Sequence, residues 1–329
     1  MPKKEKKQKP LQIQDLVIFK QKQETQNEVI EKYSFETVDQ EDKIKLSTDY
    51  RPFGNHFQYS ILLDNHSLAP ITEMKIKVRF PLFFTLTRCF PPSISIPLVK
   101  TEDNINQINI KFDELSEKSN KEIHLHFTPN SLDHMGEIRC IVTYVNNRDT
   151  VRVLDSKPTE ITIYRIAIEP KVVPSDFVRD FAQIPGIKKA VKSMGVATEQ
   201  TIDTETYFDL LAQLFSYQNF QLVAKDIQKR ILWYFGTESV KREDMLAIGQ
   251  IISNKIEIIA SSFNHNSLIS FLTQITNNFK HSIVSNRVVN SIDKIYDLEC
   301  KNCGAILPHF PKKGDSIKCK SCNYQQIVW

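Results

Sequence analysis

Four of the six cysteines of this 329-residue chain lie close together at its C-terminal end. They form two Cys-x-x-Cys pairs, Cys300 with Cys303 and Cys319 with Cys322, and fifteen residues separate the pairs. Four thiolates at this spacing are the ligand set of a tetrahedral structural zinc site, in which every sulfur lies ~2.3 Å from the ion. The sequence therefore predicts one structural Zn²⁺ bound by these cysteines.

The residues that follow each pair agree with this geometry. Gly304 follows Cys303 and Asn323 follows Cys322, and these residue types best tolerate the left-handed backbone that folds back toward a metal. The insert AILPHFPKKGDSIK has the length of a β-hairpin arm with a Gly-Asp turn at 314–315, and QQIVW supplies a last strand. A rubredoxin-like iron site shares this ligand set, and two disulfides are disfavoured in a reducing compartment.

Because of these two cysteine pairs, residues 297–329 resemble a zinc ribbon. A unit of this size cannot build a hydrophobic core of its own, so the resemblance implies that the metal supplies its folding energy. Four sulfur ligands close the coordination shell and leave no position for a catalytic water. We therefore expect a structural metal, and a body that keeps its own cores when the metal is removed.

Residues 43–170 alternate between apolar and polar side chains in short segments such as FQYSILLDN, MKIKVRFPLFF and EIRCIVTYV. Turn-forming residues separate the segments, and this pattern is typical of an immunoglobulin-like antiparallel β-sandwich. In the segment EIHLHFTP, His124 and His126 share the polar face of the strand. We expect both to be exposed polar side chains and not metal ligands.

The apolar pattern of residues 175–285 predicts a small α+β domain. After the break at Pro185–Gly186 we expect helical stretches, the clearest of which runs from Thr206 to Phe215. Three strands follow in KRILWYFG, MLAIGQIIS and KIEIIASSF, and Asn266 can cap a last helix in SLISFLTQITNNF. The whole chain is thus predicted to be β-rich and multi-domain, with a sandwich, an α+β unit and a zinc ribbon.

The formal net charge of +4 comes from the two ends of the chain. Residues 1–9 contain five lysines and one glutamate, and residues 299–329 contain five lysines and two acids, so the body between them is slightly acidic. Residues 1–42 are predicted to be a disordered tail and linker. We expect at most a weak, non-specific contact of residues 1–9 with nucleic acid or an anionic membrane.

Enzyme motifs are missing from the sequence. It has no glycine-rich phosphate loop, no Gly-x-Ser-x-Gly elbow and no His-Glu-x-x-His motif. No apolar stretch follows the basic N-terminus, as a secretory signal requires. We therefore expect a cytoplasmic protein that is not an enzyme and has no small-molecule substrate.

The order of the predicted domains resembles the appendage (ear) domains of clathrin adaptors and coatomer. The residues that support this resemblance are YSILLDNHSLAPITEMKIKVRFP, INIKFDELSEKSNKEIHLHFTP and GEIRCIVTYV, then MLAIGQIISNKIEIIASSF and SLISFLTQITNNF, within residues 45–285. It implies a platform-like second domain and a module that recruits protein partners or short peptide motifs in vesicle trafficking, with Trp233 or Tyr234 lining the peptide groove. The added ribbon departs from that family. The alternative is a zinc-ribbon factor associated with nucleic acid in transcription or translation.

Overall fold

The structure is a computed structural model. It describes residues 43–53, 56–91, 98–100, 105–197, 204–252 and 255–329. The predicted tail, residues 1–42, lies outside the described residues.

Ten strands form the first unit within these residues. They are β1 (Ile44–Phe53), β2 (His56–Asn65), β3 (Ile71–Pro81), β4 (Phe84–Phe90), β5 (Leu98–Lys100), β6 (Ile105–Leu115), β7 (Ser119–Pro129), β8 (His134–Val145), β9 (Val151–Asp155) and β10 (Thr159–Ile163). One antiparallel sheet has the order β1-β2-β7-β4, and the other has the order β10-β8-β3-β6-β5 with β9 also paired to β8.

The two sheets enclose a common core. Every second side chain of β2, from Phe57 through Tyr59 and Ile61 to Leu63, is buried in it. Alternate residues of the facing sheet, such as Ile76 of β3, fill the same cluster. The period-two pattern of the sequence therefore corresponds to the buried faces of two packed sheets, which confirms the predicted β-sandwich.

The second unit combines a sheet with three helices. Its elements are β11 (Ile168–Pro170), α1 (Ser175–Phe181), β12 (Lys188–Val196), α2 (Thr204–Tyr217), β13 (Gln221–Asp226), β14 (Ile231–Glu238), β15 (Asp244–Ile252), β16 (Lys255–Ser262), α3 (His265–Ser285) and β17 (Ile295–Asp297). The seven strands are antiparallel, in the order β11-β14-β15-β16-β12-β17 with β13 beside β14. Two further strands, β18 (Ser316–Lys318) and β19 (Gln325–Ile327), pair near the C-terminus.

Helices α2 and α3 cover one face of the seven-stranded sheet. Their apolar stripes, which include Leu211 and Phe215 of α2 and Leu272 of α3, pack into one core with that sheet face. Helix α3 begins after Asn264, whose side-chain oxygen accepts hydrogen bonds from two backbone N–H groups of the first turn. Asn264, and not Asn266, is therefore the N-cap. No helix in the described part of the chain is long and apolar enough to cross a membrane.

Strand β12 corrects the expectation of helical structure after Pro185–Gly186. Its buried positions include Lys192 and Ser193 as well as Met194, so the segment lacks the apolar alternation that identifies a strand in a sequence. Strand β11 lies at the end of the predicted sandwich range, but it pairs with β14 and so belongs to the larger sheet.

Helix α3 also joins the two units. Its Ile269 is buried in the core of the sandwich. The segment between the units is held by hydrogen bonds to the same helix: Ile166 N–H donates to Oε1 of Gln274 at 2.8 Å, and Tyr164 Oη lies 2.8 Å from Ser267 Oγ. The sandwich and the larger sheet therefore share a packed junction.

Candidate metal centre

The two Cys-x-x-Cys segments adopt the same backbone conformation. Gly304 N–H donates to the carbonyl of Cys300 at 2.8 Å, and Asn323 N–H donates to the carbonyl of Cys319 at 3.0 Å. Gly304 has φ of 77° and Asn323 has φ of 60°, both in the left-handed region. The predicted backbone requirement at these two positions is confirmed, and each turn brings its two sulfurs to the same side.

The four sulfur atoms form a compact cluster. Cys300 Sγ lies 3.6 Å from Cys322 Sγ, Cys303 Sγ lies 3.6 Å from Cys319 Sγ, and all four atoms lie within 4.8 Å of one another. A tetrahedral ion with metal–sulfur bonds of ~2.3 Å needs sulfur–sulfur separations of roughly 3.8 Å, whereas a disulfide needs ~2.05 Å. The donor set and its spacing fit a tetrahedral metal ion, so the predicted metal ligands come together in space.

The strands near the cluster differ from the predicted hairpin arm. Ser316–Lys318 pairs with Gln325–Ile327, so the hairpin spans the second cysteine pair and does not lie within the insert. The side chain of Gln326 ties the two halves together, because it accepts from Lys301 N–H at 2.7 Å and donates to the carbonyl of Glu299 at 3.1 Å. The predicted last strand, in QQIVW, is present.

Residues 297–329 are here called the cysteine unit. The buried carboxylate of Glu299, one residue before Cys300, connects this unit to both the sandwich and the larger sheet. Glu299 Oε2 lies 2.5 Å from Nε2 of His56 in β2 and 3.7 Å from Nη2 of Arg88 in β4. Its other oxygen lies 3.8 Å from Nζ of Lys192 in β12, and the Lys192 ammonium is also 2.7 Å from Asp297 Oδ2. The Lys192 side chain is 0% exposed and that of Glu299 is 6% exposed.

The charges of this junction stabilise the ionised form of Glu299. Burial alone raises the pKa of a carboxyl, but Lys192 and His56 more than offset that effect, and the net pKa of Glu299 is lowered. A charge buried to this extent is costly unless its partners stay in place. The contacts with the sandwich and with the larger sheet therefore depend on the position of the chain at Glu299, one residue before Cys300.

His126 corrects the expectation of an exposed polar face. It is only 1% exposed, and a side chain added at Gly304 would meet both its ring and Arg88. Burial is the main cause that lowers the pKa of His126 to about 3, and the charge of Arg88 adds to it, so the ring is neutral. His124 is half-buried and lies 3.0 Å from Ser60 Oγ. The polar face of this strand is thus partly covered by the cysteine unit, which the strand pattern alone could not show.

The cysteine unit also packs on the larger sheet, at Gly195 of β12. The ring of Phe310 occupies the place of a side chain at Gly195, because an added Cβ would lie 2.1 Å from Phe310 Cδ2. Trp329 stacks on Phe310 with ring centroids 5.5 Å apart. Strand β17 leads directly into this unit and pairs with β12. The sequence predicted that residues 297–329 would be independent of the body, but the structure shows that they pack on both the sandwich and the sheet.

The Gly195→Ala variant tests this packing. We expect a loss of ~1–3 kcal/mol in unfolding free energy, because the methyl group overlaps the Phe310 ring and the ring must move. The measurement is urea unfolding. In the Gly195→Ala/Phe310→Ala double variant the clash is gone. Its loss of unfolding free energy should therefore be clearly smaller than the sum of the losses in the two single variants. Additive losses would contradict a direct contact.

The aromatic residues singled out for partner binding lie on opposite faces of β14. Tyr234 is 2% exposed, packs beneath α2 and donates its hydroxyl to the carbonyl of Ala212 at 3.1 Å. Tyr234 is therefore a core residue. Trp233 points to the other face of the sheet and is half-buried.

Trp233 lines an open groove of about 480 Å³ between α1 and strands β13, β14 and β15. Ala224 and Ile248 are its register neighbours on the adjoining strands, and Val178 of α1 forms part of the opposite wall. Arg179 of α1 also lines the groove. The groove thus combines an apolar floor with a charged rim.

No protein-family model matches the chain, and no curated protein sequence matches it. Solved structures show only a distant likeness. A cohesin module of a Clostridium perfringens family 33 glycoside hydrolase is 11% identical, with 37% of this chain and 96% of that chain covered and a TM-score of 0.29. An uncharacterized Nocardia farcinica protein with an immunoglobulin-like fold is 9% identical, with coverage of 36% and 97% and a TM-score of 0.25.

A third similar structure is the major pilin subunit BcpA of Bacillus cereus, 10% identical, with coverage of 63% and 59% and a TM-score of 0.27. All three TM-scores are below 0.5, so the likeness carries no argument about function. The resemblance to appendage domains gains no support from these comparisons.

Proposed function

We propose that this chain is a non-catalytic protein-interaction module that binds short peptide segments in the Trp233 groove. The single observation that supports the proposal is a half-buried tryptophan on the floor of an open, largely apolar groove. Large aromatic side chains in such positions commonly dominate the binding energy of protein interfaces. The charged rim, which includes Arg179 and Asp176, can orient a partner.

Aromatic side chains hold helix α1 against the sheet beside this tryptophan. Phe181 of α1 packs edge-to-face on Phe235 of β14, with ring centroids 5.1 Å apart, and Phe177 packs on the same ring at 5.5 Å. These contacts fix α1 on the sheet, and α1 forms one wall of the groove. A preformed groove lowers the ordering cost of binding a peptide.

The finer parts of the proposal come from the sequence resemblance. On this basis we propose that the module is appendage-like and cytoplasmic, and that it recruits adaptor or coat components during vesicle trafficking. The four cysteines hold one Zn²⁺ ion, whose role is structural because a four-sulfur shell has no open position. No small-molecule substrate and no catalytic activity are part of the proposal.

The Trp233→Ala variant tests the groove. The probe is a displayed library of short peptides that each carry one aromatic residue. We expect selected peptides to bind the full chain and to lose about 30-fold in affinity on Trp233→Ala, because a buried aromatic anchor contributes ~2 kcal/mol. Fluorescence anisotropy measures the affinity.

Leu222→Ala is the matched control, since Leu222 lies on the adjacent strand β13, is 42% exposed and does not line the groove. It should leave the affinity unchanged. If no peptide is selected, or if Trp233→Ala unfolds the domain so that Trp233 proves to be a core residue, the proposal is wrong.

A further inference from the structure

The outer face of the second sandwich sheet carries a cluster of cations, here called the basic face. It consists of Lys75, Lys77 and Arg79 on β3, Lys111 on β6 and Arg139 on β8. The strand register places Lys75 opposite Lys111, and Arg79 opposite Arg139. Neighbouring strands lie ~4.8 Å apart and alternate residues of one strand ~7 Å apart. Five cations thus share a patch about 14 Å long on one face of the sheet.

Among the residues that the structure describes, four of these cations have no acidic partner, and one of the four, Arg79, donates to Gln107 Oε1 at 3.4 Å. Arg139 is paired with Asp155. Lys75, Lys77 and Lys111 are exposed, and within the described ranges their ammonium groups form no ion pair. The acids on this face of the described strands are Glu137, which stands opposite Glu160, Asp155, which shares the row of Lys77 across Ile141, and Asp113, two residues beyond Lys111 on β6. The face thus carries five cations and four acids, and its three exposed lysines lie together where β3 pairs with β6.

Exposed aliphatic side chains border the basic face. Val153 stands opposite Thr143, which stands opposite Lys75, so the valine and the lysine lie in one row across the sheet. Val151 lies on the same side of β9. The two valines are 65% and 61% exposed. A surface with cations beside protruding apolar groups suits a boundary between charged headgroups and hydrocarbon.

We propose that the basic face binds an anionic membrane surface, with its lysines at phosphate headgroups and Val151 and Val153 at the acyl boundary. A nucleic-acid surface fits less well, because the five cations of the basic face and its two bordering valines include no aromatic side chain for base stacking, and the valines have no role against a phosphate backbone. The proposal goes beyond the peptide-binding function. It rests on a different unit and a different face from the Trp233 groove.

The test is sedimentation of the full chain with lipid vesicles. The probes are phosphatidylcholine vesicles with roughly 30% phosphatidylserine, and vesicles of phosphatidylcholine alone. The wild-type chain should bind only the anionic vesicles, and less so at high salt. The Lys75→Glu/Lys77→Glu/Lys111→Glu variant should bind them more than about 100-fold more weakly, because the loss of each lysine near an anionic leaflet costs about five-fold and the added carboxylates repel the leaflet.

The matched control is Lys189→Glu/Lys229→Glu/Lys241→Glu, which changes the net charge equally on exposed lysines of the second unit. It should reduce binding by no more than a few-fold. A second set, Lys75→Gln/Lys77→Gln/Lys111→Gln, removes the charges without reversing them and should rank between the wild type and the Glu variant. Thermal unfolding checks that all variants fold.

The Val151→Ser/Val153→Ser variant separates lipid from other polyanions. It should weaken vesicle binding but leave any binding to duplex DNA unchanged. Equal losses in the test and control triples would overturn the proposal, as would a wild-type chain that ignores phosphatidylserine vesicles. A test triple that loses only DNA binding would also overturn it and assign the face to nucleic acid.

Discussion

Removal of the metal from the four-cysteine site is expected to loosen the junction between the sandwich and the larger sheet, as well as residues 297–329. The purified chain should contain one equivalent of zinc, and Cys319→Ser should abolish its binding. Without the metal we expect the first cysteine turn to lose its fixed position. Glu299, one residue before Cys300, then no longer faces Lys192 and His56, and a buried ammonium loses one of its partners.

Hydrogen exchange with and without chelator measures this effect. Faster exchange should appear in residues 297–329, and also in β12 around Lys192 and in β2 around His56, because these segments contact the cysteine unit. The cores of the sandwich and of the helix-covered sheet should keep slow exchange. A destabilisation of a few kcal/mol would also lower the thermal midpoint by on the order of 10 °C.

Cys89→Ser is the control for this experiment, since Cys89 is a half-buried free thiol outside the cluster. It should keep the metal and the exchange pattern. Changes confined to residues 297–329 would restore the independent ribbon that the sequence predicts. A purified chain without metal would contradict the metal centre itself.

The Lys192→Met variant is expected to cost ~3–5 kcal/mol of unfolding free energy, because it leaves the carboxylates of Asp297 and Glu299 without their buried cation. Methionine keeps most of the volume of the side chain, so the loss reflects charge and not a cavity. Urea unfolding with the metal bound measures it.

Two further variants make the measurement specific. Lys225→Met removes a partner of Asp209 at 3.9 Å in an exposed pair, and it should cost less than ~1 kcal/mol. The Lys192→Met/Glu299→Gln double variant removes both charges, so its loss should be smaller than the sum of the two single losses. A loss below ~1 kcal/mol for Lys192→Met would show that this junction does not depend on its buried charges.

The sequence located the four-cysteine cluster because its geometry is local. Cys-x-x-Cys spacing and a left-handed residue after each pair are properties of a few consecutive residues, and Gly304 and Asn323 adopt the expected conformation. The sandwich was predictable for a similar reason, since alternate burial follows directly from the two-residue repeat of a strand. Strand β12 was not predictable, because its buried positions include Lys192 and Ser193.

The sequence by itself determined which side chains share a face of one strand. It placed Trp233 and Tyr234 on opposite faces of β14, and Lys75 and Lys77 on one face of β3. Only the tertiary structure decided what each face meets. Helix α2 covers Tyr234, whereas Trp233 lines an open groove.

The same limit explains the junction at the cysteine unit. His56, Lys192 and Glu299 are separated by more than a hundred residues from one another, and nothing in their local sequence relates them. Their contact depends on the packing of three units, so the burial of His126 and the charge network around Glu299 could be read only from the fold. Local spacing brings the four cysteines together, but long-range packing decides which charges become buried and must be paired.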